Sequence, residues 1–127
     1  PPMATTEPCD RVAIGWNEST EASRAIAQTW PWLVNMSAAT ILASKKREAG
    51  ADALKEYLTW HGITSNIAFL DGKGESVGEA MLNVCAEEKA GFLVVGGFSH
   101  ARARELLFGG VTRHLLTHTN IPTLMVN

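Results

Sequence analysis

The chain switches between two hydrophobic periods from end to end, and this alternation restricts its fold more than any other feature. Short apolar runs read as strands: Arg11 to Gly15 (RVAIG), Ala39 to Ser44 (ATILAS), Ile63 to Leu70 (ITSNIAFL), Phe92 to Val95 (FLVV) and Ile121 to Val126 (IPTLMV). Between them lie stripes at helical spacing. The first holds Ala22, Ala25, Ile26, Thr29, Trp30 and Leu33, the second Leu54, Tyr57 and Leu58, the third Val77, Ala80, Met81, Val84 and Cys85. Val111, Leu115 and His118 share a fourth helix face. Strands alternating with helices imply parallel pairing through right-handed crossovers, which lay helices on both faces of the sheet. The expected fold is a single α/β domain over residues 11–127, an open doubly wound five-stranded parallel sheet.

Local signals set the boundaries. Asn17 and Ser19 suit the start of the first helix, with Glu18 and Glu21 near its positive end. Pro31 lacks a backbone donor and is expected to kink or end that helix near Trp30. A polar loop, Lys45 to Glu48, leads into the second helix, which Gly62 stops; Asp71 to Gly74 (DGKG) is turn chemistry, and Gly91 is expected to end the third helix. The unbroken FLVV run fits a strand buried on both faces, whereas the polar positions of ITSNIAFL fit an edge. Pro122 suits the beginning of the last strand.

Composition removes several classes of function. With 127 residues, 46% of them hydrophobic, the chain can bury one substantial core, and a net charge of −2 offers no general field for nucleic acid or an anionic membrane. Cys9 and Cys85, far apart in sequence, give no disulfide framework and no C-x-x-C metal or redox pair, which fits a reducing, cytoplasmic setting, and no apolar run approaches the ~20 residues of a membrane span. Residues 1–10 (PPMATTEPCD) lack apolar periodicity and read as a disordered leader or linker, or as the edge of a longer protein. His114 and His118, four apart, with His100, are the only metal-ligand candidates, but no H-E-x-x-H accompanies them and no metal is expected. No Ser-His-Asp or Cys-His arrangement stands out, and Glu75, Glu79, Glu87 and Glu88 read as polar surface of the third helix, so no catalytic residue is assigned.

Ligands of such sheets sit outside the carboxyl ends of the strands where the winding reverses, and two loops there are unusual: WNES after the first strand and GGFS after the fourth. Gly96, Gly97, Gly109 and Gly110 allow close backbone approach, and a helix opening near Gly109 would direct free N–H groups at an anion. His100, Arg102, Arg104 and Arg113 add local positive charge. Neither G-x-x-x-x-G-K-[ST] nor a G-x-G-x-x-G after the first strand is present, so the usual P-loop and dinucleotide patterns do not apply.

With this element order, the stretch GGFSHARARELLFGGVTRHLLTHTNIPTLMV resembles the universal stress protein family, whose nucleotide-binding members carry G-x-x-G, nine residues, then G-[ST]. Without a gap, that pattern falls on Gly96, Ser99, Gly109 and Gly110. The resemblance implies a strand order of 3-2-1-4-5, with strands one and four side by side, and an ATP site, with Mg²⁺, in the crevice between them. It places Gly15, Trp16 and Asn17 at the nucleoside, Ala43 and Ser44 near the base, Val95 before the first motif glycine, and Gly96, Ser99, Gly109, Gly110 and Val111 at the phosphates. Three positions depart from the family's pattern. Asn17 stands where an aspartate is usual, Ser99 replaces a glycine, and Gly110 lacks the hydroxyl of Ser or Thr. Slow ATP hydrolysis is the most that such a site implies. Trp16 can stack on a base, fill the base's place, or pack over the sheet end. The uncharged Ile121–Val126 strand, at a sheet edge in this order, is the expected contact for a second copy or a tandem domain. The functional readings are therefore an adenine-nucleotide-binding stress-response module, a nucleotide-free dimerisation module and, by analogy of fold alone, an enzyme of adenine-nucleotide chemistry.

Overall fold

A computed structural model describes residues 10–70, 75–96, 114–115 and 117–126. Its elements are β1 (Arg11–Gly15), α1 (Thr20–Leu33), β2 (Ala38–Ser44), α2 (Glu48–Trp60), β3 (Thr64–Leu70), α3 (Glu75–Glu87), β4 (Phe92–Gly96) and β5 (Thr123–Val126). Residues 114, 115, 117 and 118 are also helical. The five strands form one sheet in the order β3-β2-β1-β4-β5, every neighbouring pair parallel. This is the topology the resemblance implied, and β3, the most polar strand, does lie at an edge.

The period-2 pattern divides each central strand between two cores. From β1, Val12 and Ile14 join Ala25, Ile26 and Leu33 of α1 and Ala51, Leu54 and Leu58 of α2 on one face. Ala13 joins Met81 and Cys85 of α3 and Leu115 on the other. Leu93, Val94 and Val95 of β4 are all buried, as a strand covered on both sides requires. Thr29 is the one fully buried polar residue of α1, and its hydroxyl donates to the Ala25 carbonyl at 2.7 Å, so its burial leaves no donor unsatisfied.

Besides one-residue shifts at the ends of β2, β3 and β4, four boundaries differ from the sequence expectation. Helix α1 runs through Pro31 to Leu33, and both Ala27, whose carbonyl loses its partner, and Pro31 face solvent, so water can take up the lost bond. Leu33, buried at 1% exposure, holds that last turn to the core. The Lys45–Glu48 loop is a 3-10 turn over Lys45–Arg47, begun by Ser44, whose Oγ accepts from the Lys46 N–H at 3.2 Å; α2 starts at Glu48. Strand β5 begins at Thr123, with Ile121 and Pro122 outside it, although the Pro122 carbonyl already accepts from the Leu93 N–H.

The end of α3 is the fourth difference. It closes at Glu87, with Lys89 rather than Gly91 in the left-handed region at φ 57. The Ala90 N–H donates to the Cys85 carbonyl and the Lys89 N–H to the Ala86 carbonyl, the two bonds of a Schellman ending. Helix α2 ends in the same way at Gly62, φ 80, where the glycine signal was correct.

Candidate functional site

The order of the strands brings the carboxyl ends of β1 and β4 together, with Ile14 opposite Val94 and β2 on the other side of β1. Of the residues expected around the crevice, Gly15, Trp16, Asn17, Ala43, Ser44, Val95 and Gly96 are described. Ser99, Gly109, Gly110 and Val111 lie outside the described residues, as do His100, Arg102, Arg104 and Arg113.

Two glycines mark tight packing. A Cβ on Gly15 would stand 2.8 Å from Val95 Cγ1 and 3.2 Å from Met81 Cε, so the missing side chain lets β4 and α3 close beneath the end of β1. A Cβ on Gly96 would meet backbone: Ala22 N nearest, Glu21 C at 2.6 Å and Ala22 Cα at 2.8 Å. The first turn of α1 therefore crosses directly against the end of β4. Gly96 has a steric function in the fold, whatever part it also plays toward a ligand.

The loop after β1 is fixed by its own polar groups. Trp16 N–H extends the β1–β2 ladder to the Leu42 carbonyl at 2.9 Å. Asn17 Oδ1 accepts from the Ser19 N–H at 3.1 Å, and Ser19 Oγ accepts from the Ala22 N–H at 3.1 Å, which makes Ser19 the helix cap and Asn17 the brace of the turn before it. Between them Glu18 adopts φ 63, a conformation that costs a residue with a Cβ about 1 kcal/mol. Its carboxylate lies over Gly50 in the first turn of α2, where any side chain would collide with it, and Oε1 is 3.4 Å from Arg47 Nη1.

The Trp16 side chain turns toward α2 and donates from Nε1 to the Gly50 carbonyl at 3.2 Å, packing against the core on that face. It closes one end of a cleft of about 490 Å³ between α1 and α2, lined chiefly by Trp16, Glu18, Ile26, Trp30, Leu54 and Tyr57. The sequence reading did not find this cleft. Its signal was Gly50, a glycine within a helical stretch, which makes room for a side chain from elsewhere.

Of the histidine candidates, His114 and His118 are described. His114 and His118 stack with ring centroids 4.2 Å apart, and His118 Nδ1 is 2.7 Å from Thr117 Oγ1. Gly78 of α3 lies close against the His114 side chain, so this helix and α3 touch through a glycine. No group of three or more metal-ligating side chains gathers among the described residues. Burial pushes the Cys85 thiol from 9.0 up to about 11, partly offset by a backbone hydrogen bond, so it is an inert core group.

The model of the universal stress protein family matches residues 21–127. The chain belongs to that family. Among solved structures it is similar to a universal stress protein from Archaeoglobus fulgidus, at TM-score 0.76 and 17% identity, the match covering 93% of this chain and 44% of that one. It is also similar to the universal stress protein UspA from Lactobacillus plantarum, at TM-score 0.67 and 9% identity over 95% and 99% of the two chains. A universal stress protein in complex with cAMP is similar at TM-score 0.67 and 19% identity, over 95% of this chain and 98% of that one. At these identities the likeness concerns the fold. Among curated proteins, none matches the chain in sequence. No helix among the described residues is long and apolar enough to cross a membrane.

Proposed function

We propose that this universal stress protein domain binds an adenine nucleotide in the crevice between the carboxyl ends of β1 and β4, as a cytoplasmic ligand-sensing module without dedicated catalysis. The observation that carries the reading is the adjacency of those two strand ends, which sets the WNES loop beside the start of the GGFS loop. The similar universal stress protein in complex with cAMP supports it, since the fold accepts an adenine nucleotide in that relative. In this reading Asn17 faces the nucleoside, Gly15, Ala43 and Val95 shape the crevice, and backbone amides at Gly96, Ser99, Gly109, Gly110 and Val111 hold the phosphates, with Mg²⁺ as counter-ion and ATP turnover slow at most. Trp16, turned to α2, borders the site without stacking in it.

The test is calorimetric titration of the stripped protein, residues 11–127 being the expected folding unit, with ATP and Mg²⁺. Saturable binding that disappears in Gly109→Glu is expected, and no heat at millimolar ATP would refute the reading.

A second reading, dimerisation without nucleotide, is favoured by β5. Its Thr123, Leu124 and Met125 are only partly covered, and the strand pairs only with β4 among the described residues, so its outer backbone edge invites another chain, whether a second copy or a tandem domain. Met125→Lys should then give monomers by light scattering, and an unchanged dimer would exclude a β5 interface.

A further inference from the structure

The cleft between α1 and α2 is built from parts that the nucleotide reading does not use. It starts at Trp16 beside the sheet end and runs between the two helices to Trp30 and Tyr57, which lie toward their far ends. At about 490 Å³ it has the size of a small-molecule site. Trp30 and Tyr57 stand at 50° to one another with centroids 5.6 Å apart, forming two walls of a corner. His61 supports both from behind, edge-on to Trp30 at 5.0 Å and tilted against Tyr57 at 4.6 Å. Trp16 is held by its bond to the Gly50 carbonyl. The aromatic surfaces are therefore fixed before any ligand arrives, which spares the cost of ordering them.

Among the described residues, Glu18 is the sole formally charged one in the lining. Two local penalties converge on its placement: a left-handed backbone at Glu18 itself and a glycine in the first turn of α2, where the carboxylate rests. An acid set against aromatic and mostly apolar walls, with Ser23 the other polar side chain, repels anions and attracts cations. A bare ammonium would lose its strong hydration on entering, whereas an alkylated one keeps little and gains from the ring faces. We propose that this cleft is a binding site for a small quaternary or alkylated ammonium compound, held by Trp16, Trp30 and Tyr57 with Glu18 as counter-charge. Arg47 is the competing cation. Its pairing with Glu18 is half-exposed on both sides and therefore weak, so a ligand can displace it.

Choline and its uncharged isostere 3,3-dimethylbutan-1-ol have the same shape and separate charge from greasiness. Both are titrated into nucleotide-free protein at fixed ionic strength, following the indole N–H resonances by NMR and tryptophan fluorescence. Choline should bind saturably at least tenfold more tightly than the isostere and shift the Trp16 indole signal. Glu18→Gln and the surface change Tyr57→Leu should each weaken it several-fold, and Arg47→Ala should strengthen it by freeing the carboxylate. Equal binding of the two probes, no binding of choline at tens of millimolar, or indifference to all three substitutions in variants with unchanged circular dichroism would overturn the proposal. None of these outcomes depends on whether ATP binds.

Discussion

Replacing Gly96 by alanine separates a steric requirement from a ligand requirement at the first glycine of the loop motif. The added Cβ would collide with Ala22 N and stand 2.6 Å and 2.8 Å from two further backbone atoms of α1, Glu21 C and Ala22 Cα. Ordinary contact needs about 1 Å more, and backbone cannot rotate away as a side-chain tip can. Helix α1 must therefore shift bodily, yet its first turn is held by the Ser19 cap and its body by Ala22, Ala25, Ile26 and Leu33 in the core. Alternatively β4 must move, which strains its pairing with β1 and β5. Forced overpacking of this kind costs about 1–3 kcal/mol, and the rigidity of both partners points to the upper half of that range. Urea unfolding of the protein without nucleotide should show the midpoint falling by about 1 M, at an m-value of about 1–3 kcal/mol/M that stays unchanged. A variant within about 0.5 kcal/mol of the parent would refute the close crossing of α1 over β4. Gly96 would then be explained by the ligand alone.

The other helix ends give cheaper tests. Lys89→Gly should stabilise the protein by about 0.5–1 kcal/mol in thermal denaturation, because glycine adopts φ 57 without the penalty a lysine bears. A loss of stability there would mean that the lysine side chain contributes contacts outweighing its backbone strain. Cys85 makes stability depend on alkaline pH. Its folded pKa of about 11 lies above the ordinary 9.0, so between those values the unfolded chain gives up a proton that the native thiol retains. Stability should be complete below pH 9 and decline as pH rises toward 11, and Cys85→Ala, measured against the parent at each pH, should remove that part of the decline.

The succession of elements was readable because every strand and helix has its own hydrophobic period, and each buried face is long enough to show it. The edge position of β3 was readable from Thr64, Ser65 and Asn66, residues that a central strand covered on both sides would not carry. Boundaries were less legible where tertiary packing overrode local preference. Lys89 takes a glycine's conformation because the two closing hydrogen bonds return Ala90 to the core beside Cys85. Pro31 is tolerated because its lost bond faces water while Leu33 anchors the turn beyond it. At the candidate site the sequence pointed to the ends of β1 and β4, which the fold does bring together, but the direction of Trp16 depends on a carbonyl 34 residues away, which no local pattern encodes. Gly96 shows the complementary difficulty: one spacing of glycines serves a phosphate cradle and a helix crossing equally well.

Asn17 is where stability and ligand binding can be read independently. Its Oδ1 already accepts from the Ser19 N–H, and a carboxylate in its place would make the same bond with charge assistance, just before the positive end of α1. On that ground alone Asn17→Asp should raise the stability of the nucleotide-free protein by about 0.3–1 kcal/mol, less at high salt, because the site is exposed. Crowding with Glu18 and Glu21 opposes the gain, so a neutral result at low salt that turns favourable when Glu18 is also made glutamine would still identify the dipole effect. The nucleotide reading adds a second expectation. A carboxylate at this position can accept bonds from the nucleoside hydroxyls without giving up the turn, so ATP affinity should rise severalfold in calorimetry. Stability raised without any change in affinity would place Asn17 in the architecture of the helix start and outside the ligand site, and the nucleoside half of the proposed crevice would lose the anchor assigned to Asn17.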